Sequence, residues 1–201
     1  METAEKKPDP ALVMTREQIM ALPLGGFGGR INIINTHGKA SWAVHDLSQC
    51  RILGFDTETR PAFRKGERHP IALIQLANER HAFLFRVNKT GMHAGLKAVL
   101  ENPAITKVGQ GLEHEIKTLK RELGVNAQGF VDLHQIARKI NCEPKSVRGM
   151  AAIFLGFRIP KAAQTTNWEM PYLTTKQVRY AATDAWACLE IYRKMEEKGL
   201  L

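Results

Sequence analysis

A chain of 201 residues, 44% of them hydrophobic, is long enough to build one well-cored domain. Its net charge of +9 at pH 7 suits a polyanionic partner such as nucleic acid or an anionic surface, although a merely soluble basic protein carries the same balance. Three cysteines without paired ligand spacing argue against a disulfide framework or a thiolate metal site; charges in the opening stretch and the lack of any apolar run of membrane-spanning length predict a soluble, cytoplasmic protein.

Residues 1–14 are polar, contain "KPDP", and are expected to form a flexible tail ahead of a single domain over 15–201. "TREQ" at 15–18 has capping-box spacing, and Pro23 with the glycines of "LPLGGFGG" ends the short helix it starts. "INIIN" (31–35) and "RILGFDTE" (51–58) read as strands on either side of a helix around 41–50. "IALIQLAN" and "HAFLFRV", divided by a polar turn at Glu79 and Arg80, carry a hairpin signal. From Gly91 the pattern alternates: "GMHAGLKAVLEN" is helical, "AITKVGQ" strand-like, "GLEHEIKTLKREL" helical and "GFVDL" a short strand. Strands separated by helices pair in parallel through crossovers. The chain from about Ser146 reads as helical and ends in a long helix from Thr175 to Lys198. The class is therefore α/β, a mixed sheet with an antiparallel meander and a parallel side, covered by helices.

Three places on these elements carry acids that ordinary packing does not explain. In "GFDTE", Asp56 and Glu58 are two apart on a strand, so both project from one face, where two like charges call for a cation between them. In "YAATDAWACLEIY", Tyr180 and Asp184 are four apart, one turn from each other on one helix face, and the small and apolar neighbours set that face against the sheet. Glu115 lies at the edge of the stripe formed by Leu112, Ile116, Leu119 and Leu123, while Glu113 and His114 point further away. For Glu115 taken alone, an ordinary solvated glutamate is the simpler alternative.

In order and spacing, "GFDTE", "KVGQGLEHEIKTL" and "YAATDAWACLEIY" resemble the three exonuclease motifs of the DEDD superfamily. The match is to the tyrosine-bearing branch, which includes RNase D and the Werner syndrome exonuclease domain; the histidine branch is disfavoured because Arg179 stands five residues before Asp184. The resemblance covers roughly Ser41 to Leu201, and "TTNWEMPYLTTKQVRYAATDA" is especially similar to the Werner-type block. It implies an RNase H-like mixed five-stranded sheet flanked by helices, and a 3′-5′ exonuclease releasing nucleoside 5′-monophosphates.

The same resemblance implies two divalent ions, Mg²⁺ or Mn²⁺, held by Asp56, Glu58, Glu115 and Asp184, with Tyr180 beside the attacking water. Hard oxygen ligands suit either ion. Asp56 would bridge both ions, Glu58 and Asp184 complete the nucleophile-side site, and Glu115 hold the second ion through its waters. Glu115 departs from the pattern, since the family supplies aspartate there. That substitution leaves open a catalytically weakened module that binds nucleic acid without cutting it. The expected partner is the 3′ end of DNA or RNA, and no membrane. The basic run "RPAFRKGERHP" is either a solvated loop or a phosphate contact. Candidate substrate contacts are Thr57, Arg64, Lys65, His114, Lys161, Asn167 and Trp168, with packing an equal alternative for Trp168.

Overall fold

The sheet is assembled from β1 (Arg30–Ile34), β2 (Ile52–Thr59), β3 (Ile71–Ala77), β4 (His81–Phe85), β5 (Thr106–Gly109) and β6 (Phe130–Asp132). Its spatial order is β1-β4-β3-β2-β5-β6. The computed structural model describes residues 12–64, 66–160, 163 and 165–201. The hairpin expected around Glu79 and Arg80 is the β3–β4 pair, and β2–β3 is antiparallel as well. The β1–β4, β2–β5 and β5–β6 pairs are parallel. The sheet thus has the six strands read from the residue pattern, one more than the five that the resemblance implied. The shortest, β6, has three residues, each half-buried, and lies along the edge of β5.

Helices α2 (His37–Ser48), α3 (Val87–Thr90), α4 (Ala94–Glu101) and α5 (Leu112–Leu123) cover one face. There Leu53, Phe55, Ile74, Leu76, Phe83 and Phe85 form a buried core with Leu47, Leu96 and Leu119. The other face is covered by α7 (Val147–Leu155) and α8 (Thr175–Glu197), whose Met150, Ala151, Ala187 and Ile191 pack with Val108 and Leu133. α2 starts at His37 rather than near residue 41, because the Thr36 hydroxyl accepts the Lys39 amide and caps it there. The helical reading from Ser146 onward holds for α7 and α8 but not for the described residues between them. Both capping boxes are present, at Thr15 ahead of α1 (Arg16–Ala21) and at Thr174 ahead of α8.

Specific contacts begin before Thr15, inside the stretch expected to be a tail. Leu12 is buried, and the Met14 amide donates to the Glu143 carbonyl at 2.9 Å. The three cysteines are free thiols, Cys142 and Cys188 buried and Cys50 half-buried. No described helix is long and apolar enough to cross a membrane.

The contact that positions the acids is the approach of α8 to β2. A Cβ on Gly54 would lie 1.8 Å from the Ala185 carbonyl oxygen, so only a residue without a side chain lets the helix backbone rest on the strand there. Gly54 and Asp56 share a face by the two-residue period of the strand. Close packing at Gly54 therefore sets Asp184, next to Ala185, against Asp56.

Candidate active site

Asp56, Glu58, Tyr180 and Asp184 line one cavity of about 350 Å³ between β2 and α8, together with Thr57 and Arg148. A neighbouring groove of about 290 Å³ is lined by Thr57, Glu58, His114 and Glu115 and by the cations Arg60, Arg68 and Arg121. Thr57 and Glu58 border both, so the two spaces meet at the end of β2. A further cavity of about 510 Å³ lies beyond Tyr180 against Leu24–Gly28 and has no carboxylate among its lining residues.

Glu115 reaches the groove because the start of α5 is pinned. Asp132 accepts the Gly111 amide at 2.8 Å and the Leu112 amide at 3.0 Å, and it also caps α6 (Leu133–Lys139) through the His134 amide. The helix then turns as its stripe predicts: Leu112 and Leu119 are buried, Ile116 and Leu123 pack against the core, and Glu115 is half-buried. Glu113 instead faces solvent and pairs with Lys117 at 2.6 Å. Tyr180 is braced from behind. Trp168 packs against its ring at a centroid distance of 6.1 Å, and Gln177 Nε2 donates to Thr166 Oγ1 and to the Asn167 carbonyl, each at 3.1 Å.

Burial and mutual repulsion raise the proton affinity of the whole set. Burial pushes the Glu58 carboxyl up to about 10, with Asp56 and Asp184 adding to it. Burial likewise lifts Asp184 to about 6, against the opposing effects of the Tyr180 hydroxyl hydrogen bond and the Arg148 charge. Asp56 lies well above the usual carboxylate range, chiefly from burial and then from Asp184. Burial raises Glu115, and it raises Tyr180 above its ordinary value with Asp184 and Glu58 contributing.

Two oxygens in this set, Asp184 Oδ1 and Glu115 Oε2, are buried without a hydrogen-bond partner. A buried carboxylate oxygen normally has a donor, and a hard divalent cation meets the same need. The donor chemistry therefore fits Mg²⁺ or Mn²⁺. Among the described residues, however, no three side chains close into a ligand cluster.

Of the expected substrate contacts, Thr57 and His114 face the groove. Trp168 is fully buried, as the packing alternative expects and not as an exposed contact would be. Asn167 is exposed, and its Oδ1 accepts the Glu169 amide at 2.9 Å in a local turn. Arg64 is exposed, and its amide donates to Glu67 at 3.2 Å in a local turn. It is absent from the groove lining, where Arg60, Arg68 and Arg121 stand instead. Lys65 and Lys161 lie outside the described residues. Sequence reasoning missed Arg148, Asp132 and the Gln177 brace. Gln177 had a signal, since it closes a capping box; Arg148 had none, because only the packing of α7 on α8 brings it to the acids.

Residues 31–199 match the family described as 3′-5′ exonuclease. The chain is 37% identical over 188 residues to the mouse bifunctional 3′-5′ exonuclease/ATP-dependent helicase WRN, covering 89% of this chain and 13% of that protein. The chain thus spans a small part of that relative's length. By structure it resembles the EXO domain of Nibbler from Aedes aegypti, with a TM-score of 0.78 at 21% identity over 87% of this chain and 92% of the other. It also resembles RNase D of Escherichia coli, an exoribonuclease involved in structured RNA processing, with a TM-score of 0.73 at 24% identity over 86% and 47%.

Proposed function

This chain belongs to the 3′-5′ exonuclease family, and from that premise we propose that it hydrolyses a nucleic-acid strand from its 3′ end with the help of two divalent metal ions, releasing nucleoside 5′-monophosphates. The observation that carries the reading is the meeting of four raised carboxyls at the end of β2, two of them with a buried oxygen lacking any donor. Asp56, Glu58 and Asp184 would hold one ion, and Glu115, from the neighbouring groove, would reach the second. Bound there, Mg²⁺ or Mn²⁺ supplies an acidified water and neutralises charge on the phosphoryl oxygens.

The protein's own residues do the rest. Tyr180, raised above its ordinary proton affinity, stays protonated at neutral pH, so its hydroxyl orients the attacking water and does not act as the base. Asp184 accepts from that hydroxyl and fixes its direction. Arg60, Arg68 and Arg121 place positive charge along the groove through which a strand's phosphates would approach.

Incubating EDTA-stripped protein with 5′-labelled DNA and RNA strands tests the reading. Addition of Mg²⁺ or Mn²⁺ should produce a ladder shortening from the 3′ end together with free 5′-monophosphates. Hydrolysis that persists in EDTA, or that begins at internal linkages, is incompatible with it.

A further inference from the structure

Among the residues lining the cavity between β2 and α8 there is a single cation, Arg148. It is the second residue of α7, half-buried, with its guanidinium carbon 5.9 Å from the centre of the Tyr180 ring. Among the described residues it forms no ion pair at contact distance and no side-chain hydrogen bond. Its charge nevertheless reaches Asp184 and Tyr180, favouring ionisation of both.

The backbone beneath it is held from three sides. Ser146 caps α7 by accepting the Gly149 amide at 3.1 Å, and Gln110 bonds the Lys145 carbonyl at 2.8 Å and the Val147 amide at 2.9 Å. Gly149 seats the helix against Pro144, whose carbonyl oxygen would lie 2.6 Å from an added Cβ. A guanidinium carries five donors in a planar fork suited to carboxylate or phosphate. Were Arg148 present to neutralise the acids, it would fork onto Asp184, whose Oδ1 lies buried in want of a donor. Both groups instead remain unspent in the same cavity, which leaves the guanidinium available to an incoming anion.

We propose that Arg148 donates to a non-bridging oxygen of the terminal phosphodiester of the strand, holding the scissile linkage over the carboxylates. This rests on the exonuclease reading above and adds a substrate-contacting residue to it.

The test is a cycle crossing Arg148→Met and Arg148→Lys with a change in the strand. Fluorescent oligonucleotides ending in either a phosphodiester or an uncharged methylphosphonate linkage are titrated by anisotropy in EDTA, where no turnover intervenes. Wild type should bind the charged terminus about tenfold more tightly, as for one charge-assisted hydrogen-bonded pair. Arg148→Met should bind both strands alike, and Arg148→Lys, which keeps the charge but not the fork, should retain part of the preference. A full preference in Arg148→Met, or an equal loss on both strands, overturns the assignment. If the methionine variant does not fold, the lysine variant decides: an undiminished preference there overturns the forked contact. Wild-type protein is run in parallel with Mn²⁺ on a labelled strand. Absence of trimming removes the exonuclease reading and the role of Arg148 with it, whereas trimming without the coupling removes Arg148 alone.

Discussion

Replacing Asp184 by asparagine should stabilise the metal-free protein while abolishing its activity. Asp184 is lifted from 3.8 to about 6 by burial, so its ionised form is less favourable in the fold than in the unfolded chain. A group raised in this way lends stability that is complete below pH 3.8 and is lost as pH rises through about 6. At pH 8 the ionised carboxylate costs up to about 3 kcal/mol relative to an unperturbed one. Asparagine keeps the shape and the Tyr180 contact, removes the charge, and also relieves Asp56 and Glu58, which Asp184 pushes upward. Its amide still lacks a partner, so the expected gain at pH 8 is about 1 to 2 kcal/mol. Urea melts in EDTA at pH 5 and pH 8 read it directly: the variant should gain little at pH 5, gain at pH 8, and show a shallower fall between them. Exonuclease rate in Mn²⁺ should fall to background. A variant less stable than wild type at pH 8, or one whose stability declines as steeply with pH, refutes the claim that burying the ionised Asp184 carboxylate is a cost of this site.

Gly54→Ala places a methyl group 1.8 Å from the Ala185 carbonyl oxygen and should cost about 3 kcal/mol or prevent folding, measured by thermal melting. Trp168→Ala empties a fully buried site and should cost about 3 to 5 kcal/mol, and a melting loss below 1 kcal/mol would contradict its assignment to the core. Glu115→Asp should keep or improve activity, Glu115→Gln should lose most of it and need more Mn²⁺, and Glu113→Gln, exposed and paired with Lys117, should behave as wild type in the same titration. Tyr180→Phe deletes only the hydroxyl that faces Asp184, so turnover should slow by roughly 10²-fold while Mn²⁺ affinity, read by calorimetry, changes little.

The acid pairs were legible because each is a statement about local geometry. Residues two apart on a strand share a face, and residues four apart on a helix share a side, so "DTE" and "YAATD" fix Asp56 with Glu58 and Tyr180 with Asp184 before any packing is known. The same holds for Glu115 at the edge of its apolar stripe and for the capping boxes at Thr15 and Thr174. Periodicity separated helix from strand over most of the chain. What one local pattern cannot contain is its distance from another. Whether the two pairs meet depends on α8 lying on Gly54, and whether a cation joins them depends on α7 packing against α8 with Arg148 in its first turn. Trp168 and Arg148 mark the same limit: that the first is fully buried and the second lines the cavity of the acids is set by what packs across the sheet and not by their distance from a motif. β6 was legible as the short strand in "GFVDL", but its parallel place along the edge of β5 was not. Contacts within a turn or a pleat are determined by chain geometry; contacts between elements are determined by which surfaces exclude water together, and that is settled only when the whole core closes.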